Sequence, residues 1–449
     1  MSKTMKQVII KLISALIIVT GFSAKIYADT IDITNGHADP IPIAVNEFSG
    51  HNSSEVKMAE NIVNVIKADL KNCGFFRPIS SAAFIENKTG VNHLPLFASW
   101  QQINSNLLIN GDVEVLDSGN LRVRFILWDT ILESKLIAET LELPEKIWRR
   151  AGHKIADSVY KKITGYGGYF DTRIVYVSEQ GPYLQRVKRL AIMDQDGENH
   201  QYLTDGSTIV LTPRFSPDGK KILYLSYKNR IPQVFILDLA SGRSSLLGHF
   251  PGMSFAPRFS PDGKTALISI AKDGMTHIYE VNLSNKQKHQ LTHGAAIHTS
   301  ASYSPNGQEI AFNSDRDGTR QLYIMDRDGS NVRKISYGNG FYTEPNWSSN
   351  GYIAFTKMTR DYGFTIGVMK PESDNVVGTE RLIANGYLVE SPSWAPNGRI
   401  IVFTKSIKQS GKKSNNLRRI YTIDFTGHNE RIIPTPHDAS DPDWSKPRP

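Results

Sequence analysis

"PRFSPDGK" occupies residues 213–220, and the same eight letters return at 257–264, 44 residues later. Either a unit has been duplicated or one ligand motif is used twice, and the weaker copies decide between these readings. The opening recurs as "SYSPNG" at 302, "NWSSNG" at 346 and "SWAPNG" at 393, with a shortened "DWSKP" at 443. The aromatic of each copy, Phe215, Phe259, Tyr303, Trp347, Trp394 and Trp444, falls at steps of 44, 44, 44, 47 and 50. A near-constant period of this size marks a propeller, a solenoid or an array.

Within each copy, apolar and polar residues alternate over short runs, as in "KILYLS" at 221, "QVFILDL" at 233, "EIAFNS" at 309 and "QLYIMD" at 321. This period of two predicts four short strands per unit. Ser-Pro-Asp-Gly supplies a proline with its φ already set and a glycine for the positive φ of a tight turn. Asp-Arg-Asp-Gly at 326–329 does the same between the third and fourth strands. The octapeptide therefore reads as a strand end, a turn and a strand start, and turn chemistry accounts for every letter but the arginine.

The ends of the array complete the argument. It begins at "TRIVYVS" (172), a second-strand pattern with no first strand before it, and stops at "PDWSK" (442), a first strand with nothing after it. If the two pair, six sheets close into a ring and the exposed sheet edges shrink to the short outer ones. The expected architecture over residues 170–449 is an all-β six-bladed β-propeller closed by the C-terminal strand.

Residues 41–165 follow a different grammar. "IPIAVNEF" (41) reads as a strand, and Glu55 to Asn72 as a helix with Ala59, Ile62, Val63, Ile66 and Leu70 on one face. "LLINGDVEVL" (107), "NLRVRFILWD" (120) and "SKLIAETLEL" (134) are strands. Pro144 opens a second helix, and "TGYGGYFD" (164) serves as a hinge. The expectation is a small α/β domain ahead of the ring.

The first 28 residues place Lys3 and Lys6 before an apolar run, Leu12 to Phe22, and then small residues, as a signal peptide does. Cleavage is expected after Ala28, with Ala24 as the second choice. The run is short of the ~20 residues that span a bilayer. Loss of the leader removes four lysines and no acid, so the net charge of +8 becomes +4 in the mature chain. That mild balance, with no basic helix or arginine-rich run, gives no support to nucleic-acid binding. Cys73 is the only cysteine and ends an apolar helical pattern, which suits a buried structural thiol. No cysteine follows the leader, so a lipid-anchored precursor is not supported. Residues 29–40, "DTIDITNGHADP", alternate Ile31 and Ile33 with polar residues. They suit either a strand added to another protein's sheet or an untethered tip.

The chain carries no G-x-S-x-G elbow, P-loop or H-E-x-x-H. "SDRDGTRQLY" (314) is similar to a sialidase aspartate box but has Arg316 where that box needs aspartate, and reads as a hairpin. Two constellations fall where the ring would gather them. The loops leading into the innermost strands share one face, around the mouth of the central channel. His249, His293, His298 and His437 on those loops are candidate ligands for a metal-dependent exported enzyme, such as a polysaccharide lyase. Glu344, Glu390 and Asp441 stand on three successive blades, with Arg214 and Arg258 on the next two. They fit a solvated rim, a calcium site built from the three carboxylates, or a two-signed surface for a protein partner.

Leader, small α/β domain, hinge and six copies of the "SPDG" unit together resemble the TolB family, the periplasmic component of the Tol-Pal envelope system of Gram-negative bacteria, over the whole mature chain. The resemblance implies a periplasmic adaptor without catalysis or cofactor, supporting outer-membrane integrity and cell division. It implies that the channel mouth receives the lipoprotein Pal and that the mature N-terminal tail contacts TolA. The positions carried over for Pal are Met253, Ala256, Thr299, Ser300, Thr343 and Glu344, just before the innermost strands, with Glu390 and Asp441 on the same rim. Those for TolA are Asp29, Thr30, Ile31, Asp32 and Ile33. One departure from the family is the basic loop "KSIKQSGKKSNNLRR" (405), expected to meet an anionic surface through Lys408, Lys412 and Lys413.

Overall fold

A computed structural model of the chain describes residues 39–86, 90–182, 185–228, 230–361, 363–371, 380–407 and 417–449. The leader, the tail residues Asp29 to Ile33 and the loop lysines Lys408, Lys412 and Lys413 lie outside the described residues. Among the described residues, no helix is long and apolar enough to cross a membrane.

The first domain is built from β1 (Ile41–Val45), α1 (Ser53–Asn72), β2 (Phe76–Pro78), α2 (Phe97–Gln102), β3 (Leu107–Val115), β4 (Asn120–Asp129), β5 (Ser134–Pro144) and α3 (Arg149–Thr164). Its sheet runs β2-β1-β3-β4-β5, with β1 parallel to both neighbours and the remaining pairs antiparallel. α1 starts two residues before the predicted Glu55 because Asn52 is its cap: the Asn52 side chain accepts from the Glu55 amide at 3.0 Å. The Ala59, Ile62, Val63, Ile66 and Leu70 stripe is buried as expected. Pro144 does not open α3; it ends β5, a short turn follows, and the helix begins at Arg149. Cys73 is buried, and burial pushes its thiol up to about 12, so it stays protonated.

The ring consists of six antiparallel four-stranded sheets. Blades 2 to 6 have as innermost strands Val210–Phe215, Met253–Phe259, His298–Tyr303, Phe341–Trp347 and Val389–Trp394. Blade 1 is the composite: Asp438–Trp444 pairs with Arg173–Gln180, bringing Trp444 opposite Ile174 and Asp443 opposite Val175. The glycines of the S-P-type turns take the expected positive φ, from 66° at Gly219 to 87° at Gly351. Trp444 fastens the seam: its indole N–H donates to the Thr172 hydroxyl at 2.7 Å, and its ring meets Tyr169 edge-on.

The two domains share one apolar core, in which Ile155, Val159 and Tyr160 of α3 pack with Phe170, Ile400, Val402 and Trp444. Around it, Asp171 receives Arg150, Lys154 and Arg448 at 2.9, 3.3 and 2.7 Å. Burial opposes its charge, but these three cations hold its carboxyl below the usual range. His153, fully buried, is hydrogen-bonded to Asp69 at 2.6 Å, and Gln195 of the propeller donates to the same carboxylate at 2.9 Å.

Candidate functional site

Every innermost strand breaks its ladder at the same height. The register shifts there, and a non-glycine residue three positions before the aromatic takes the left-handed conformation: Thr212, Ala256, Ser300, Glu344, Ser391 and Asp441, with φ from 47° to 58°. Such a conformation costs about 1–3 kcal/mol and persists only where its surroundings enforce it. The bulge also frees an amide from the ladder, and neighbouring blades use it. Glu344 accepts from the Ser391 amide at 2.8 Å, and Asp441 from the Thr212 amide at 3.3 Å. The Ser391 hydroxyl lies 3.3 Å from Glu344 and 3.1 Å from Asp441, linking three blades around the mouth.

Of the sequence-predicted mouth residues, Met253 is exposed and Ala256, Thr299, Ser300, Thr343, Glu344, Glu390 and Asp441 are half-buried. They lie inside the innermost strands and not in the loops before them, because the bulge lets the strand continue past the turn of the backbone. Arg214 and Arg258 are not on this rim. They stand deeper in the channel with Asp443, which contacts Arg258 at 3.1 Å.

Burial, with Glu344 and Asp441 nearby, pushes the Glu390 carboxyl up to about 7. In the unfolded chain a glutamate titrates at about 4.3. Between those values the folded state keeps a proton that the unfolded state has released, so stability falls as pH rises through the window. Glu390→Gln should leave stability nearly unchanged at pH 4 and raise it by as much as ~3–4 kcal/mol at pH 8. Denaturant unfolding at both pH values checks this, and equal stabilities at pH 8 would show a freely ionised carboxylate.

The metal readings fare differently. Among the described residues, the one set of three metal-binding side chains with converging ligand atoms is Asp69, His153 and Asp196, at the domain junction. Asp196 is paired with Arg149 there, and Asp69 holds His153 and Gln195, so the set reads as a lock between domains. Glu344, Glu390 and Asp441 do not converge in this way, nor do His249, His293, His298 and His437. His298 lies in a strand and not a loop, and burial pushes its imidazole down to about 4. Its ring stacks on His277 at 5.6 Å, and Nε2 is 3.2 Å from the His293 carbonyl oxygen.

Of a second ring, sequence reasoning named only Met253. Six residues before the aromatic stand Ile209, Met253, Ile297 and Phe341, and blade 6 offers Tyr387 close to the same place; all are exposed, from 36 % at Ile297 to 61 % at Tyr387. Tyr227, Ile231, Met275, Met358 and Ile407, on the hairpins of the same face, add to it. Aligning the repeats six positions upstream of the aromatic reveals Ile209, Met253, Ile297 and Phe341; Tyr387 lies seven upstream.

Residues 160–448 match the family described as the TolB beta propeller domain, and residues 29–136 match the TolB amino-terminal domain. The chain belongs to the TolB family. Two relatives bearing the name Tol-Pal system protein TolB are 60% identical over 430 residues, in Rickettsia bellii (strain OSU 85-389), and 57% identical over 447 residues, in Rickettsia rickettsii (strain Sheila Smith). The matches cover 94% and 98% of this chain and 97% and 99% of the relatives. The crystal structure of TolB from Acinetobacter baumannii superposes with a TM-score of 0.79 at 25% identity, covering 91% of this chain and 97% of that one. As a TolB-family member, the chain is a non-enzymatic component of the Tol-Pal envelope system.

Proposed function

We propose that this chain is a periplasmic adaptor, exported by its leader, that binds Pal across the channel mouth and TolA through the N-terminal tail, in support of outer-membrane integrity and cell division. One observation carries the reading: at five of the six entries to the innermost strands, one face presents an exposed large apolar side chain around an acid-lined opening. An apolar ring that water must leave, around polar groups held in fixed geometry, is the make-up of a protein-docking surface. On this reading Met253, Ala256, Thr299, Ser300, Thr343 and Glu344 touch Pal, Asp441 orients it by charge, and Glu390 meets it as a largely protonated carboxyl that can donate a hydrogen bond. Asp29, Thr30, Ile31, Asp32 and Ile33 form the strand that TolA receives.

The test is capture of purified Pal by the full mature chain and by Ala256→Trp and Phe341→Glu. Each variant should lose about tenfold or more in affinity; Phe341→Glu, at an exposed site, should keep the parent's melting temperature, while Ala256→Trp, at a φ of 49°, should melt somewhat lower. Undiminished capture by both would remove the mouth from the interface. Deletion of residues 29–33 should abolish TolA capture and leave Pal capture intact.

A further inference from the structure

Beneath the bulged ring, the next channel layer also takes one residue per blade: Arg214, Arg258, Ser302, Asn346, Ser393 and Asp443, each just before its aromatic. These six line a cavity of about 610 Å³ at the end of the channel nearer the α/β domain, remote from the docking face. The layer holds two guanidiniums and one carboxylate. Asp443 is fully engaged: it accepts from the Phe215 amide at 2.8 Å, the Ser393 hydroxyl at 3.0 Å and Arg258 at 3.1 Å. Arg214, its side chain only 9 % exposed, stays 3.9 Å from that carboxylate. Its one hydrogen bond among the described residues goes to the neighbouring Pro213 carbonyl, at 2.7 Å.

The cavity lining thus holds one buried positive charge more than its own carboxylate neutralises, Glu344 of the ring above being the further anion that acts on Arg258, and buried charges require a partner. Burial, together with Arg214, pushes the Arg258 guanidinium down to about 9, as two crowded cations demand. Two further cations, Lys161 of α3 and Lys446, line the cavity, so its field draws anions inward. The volume lies within the range of small-molecule sites, roughly 300–1,000 Å³. We propose that this end of the channel binds a small ligand bearing an oxyanion, a carboxylate or a phosphate, held by the guanidinium forks of Arg214 and Arg258. Arginine presents its donors in a plane that matches either group two-pronged.

The experiment is calorimetric titration of the full mature chain with inorganic phosphate and, in a separate arm, with succinate; the stronger arm identifies the chemistry. Gly167 also lines the cavity, and a Cβ there has open space around it. Gly167→Glu therefore places a carboxylate beside the ligand without disturbing the channel wall. The expected result is saturable one-to-one binding of at least one probe, weakened about tenfold or more by Arg214→Gln and by Gly167→Glu. Without anion, Arg214→Gln should melt no lower than the parent, because it relieves the repulsion with Arg258. Failure of both probes to bind, or binding that survives both substitutions, overturns the proposal.

Discussion

Removal of residues 438–449 should abolish cooperative unfolding of the ring, with a loss of stability beyond about 5 kcal/mol. The deletion strips the innermost strand from blade 1, leaving the edge of Arg173–Gln180 unpaired. It takes Trp444 out of the shared core, and losing a buried tryptophan alone costs about 3–5 kcal/mol. It also removes Asp443 from Arg258 and Arg448 from Asp171 and Asp194. Thermal melts followed by circular dichroism, with dye binding to report exposed apolar surface, check this. A truncated chain that melted within a few degrees of the full one would mean that the seam contributes little.

Arg399→Ala should cost about 3–5 kcal/mol and loosen the α/β domain from the ring. The Arg399 side chain is 3 % exposed, and its Nε donates to Asp424 at 2.6 Å. Its guanidinium lies 4.9 Å from Phe75 and from Tyr166, and 5.3 Å from Phe425. Phe75 and Tyr166 flank the α/β domain's end of the junction, and Phe425 belongs to blade 6, so one cation holds both sides. Truncation leaves Asp424 as a buried, uncompensated carboxylate and empties the space between three rings. Arg399→Lys should rescue little, since a point charge cannot stack flat against several rings while also reaching a carboxylate. Denaturant unfolding combined with limited proteolysis at residues 164–171 reads both effects. A loss below about 1 kcal/mol would show that the apolar contacts alone hold the junction.

The sequence announced the ring because its information is periodic. Each turn signature, each alternating run and even the orphan half-blades at the two ends are local patterns repeated at a fixed spacing. The mouth was legible in part for the same reason. Met253 and Glu344 occupy repeat positions, and closure places all such positions on one face.

What remained hidden has no local signature. The six left-handed residues are Thr, Ala, Ser, Glu, Ser and Asp, none of them a glycine that would advertise a positive φ. Their conformation is imposed by packing around the channel. Arg399 reads in sequence as the residue after an Asn-Gly turn, and Asp69 as the polar side of a helix. Their partners, Phe75 and Gln195 among them, come from the other domain. The pairing of His298 with His277 was likewise invisible, and it turned a metal candidate into a neutral, stacked ring.

The composite blade also bears on how the molecule reaches its native state. Ile174 and Trp444, opposite each other in that sheet, are 270 positions apart. Loop-closure entropy grows only logarithmically, about 0.6 kcal/mol per doubling, so such a separation weakens the finished ring little. It slows arrival, however, because non-local pairings form late. Five sheets can assemble from contiguous chain while the sixth waits. For that interval two bare β edges face each other across a gap, and a second chain in the same state offers each of them an equivalent match.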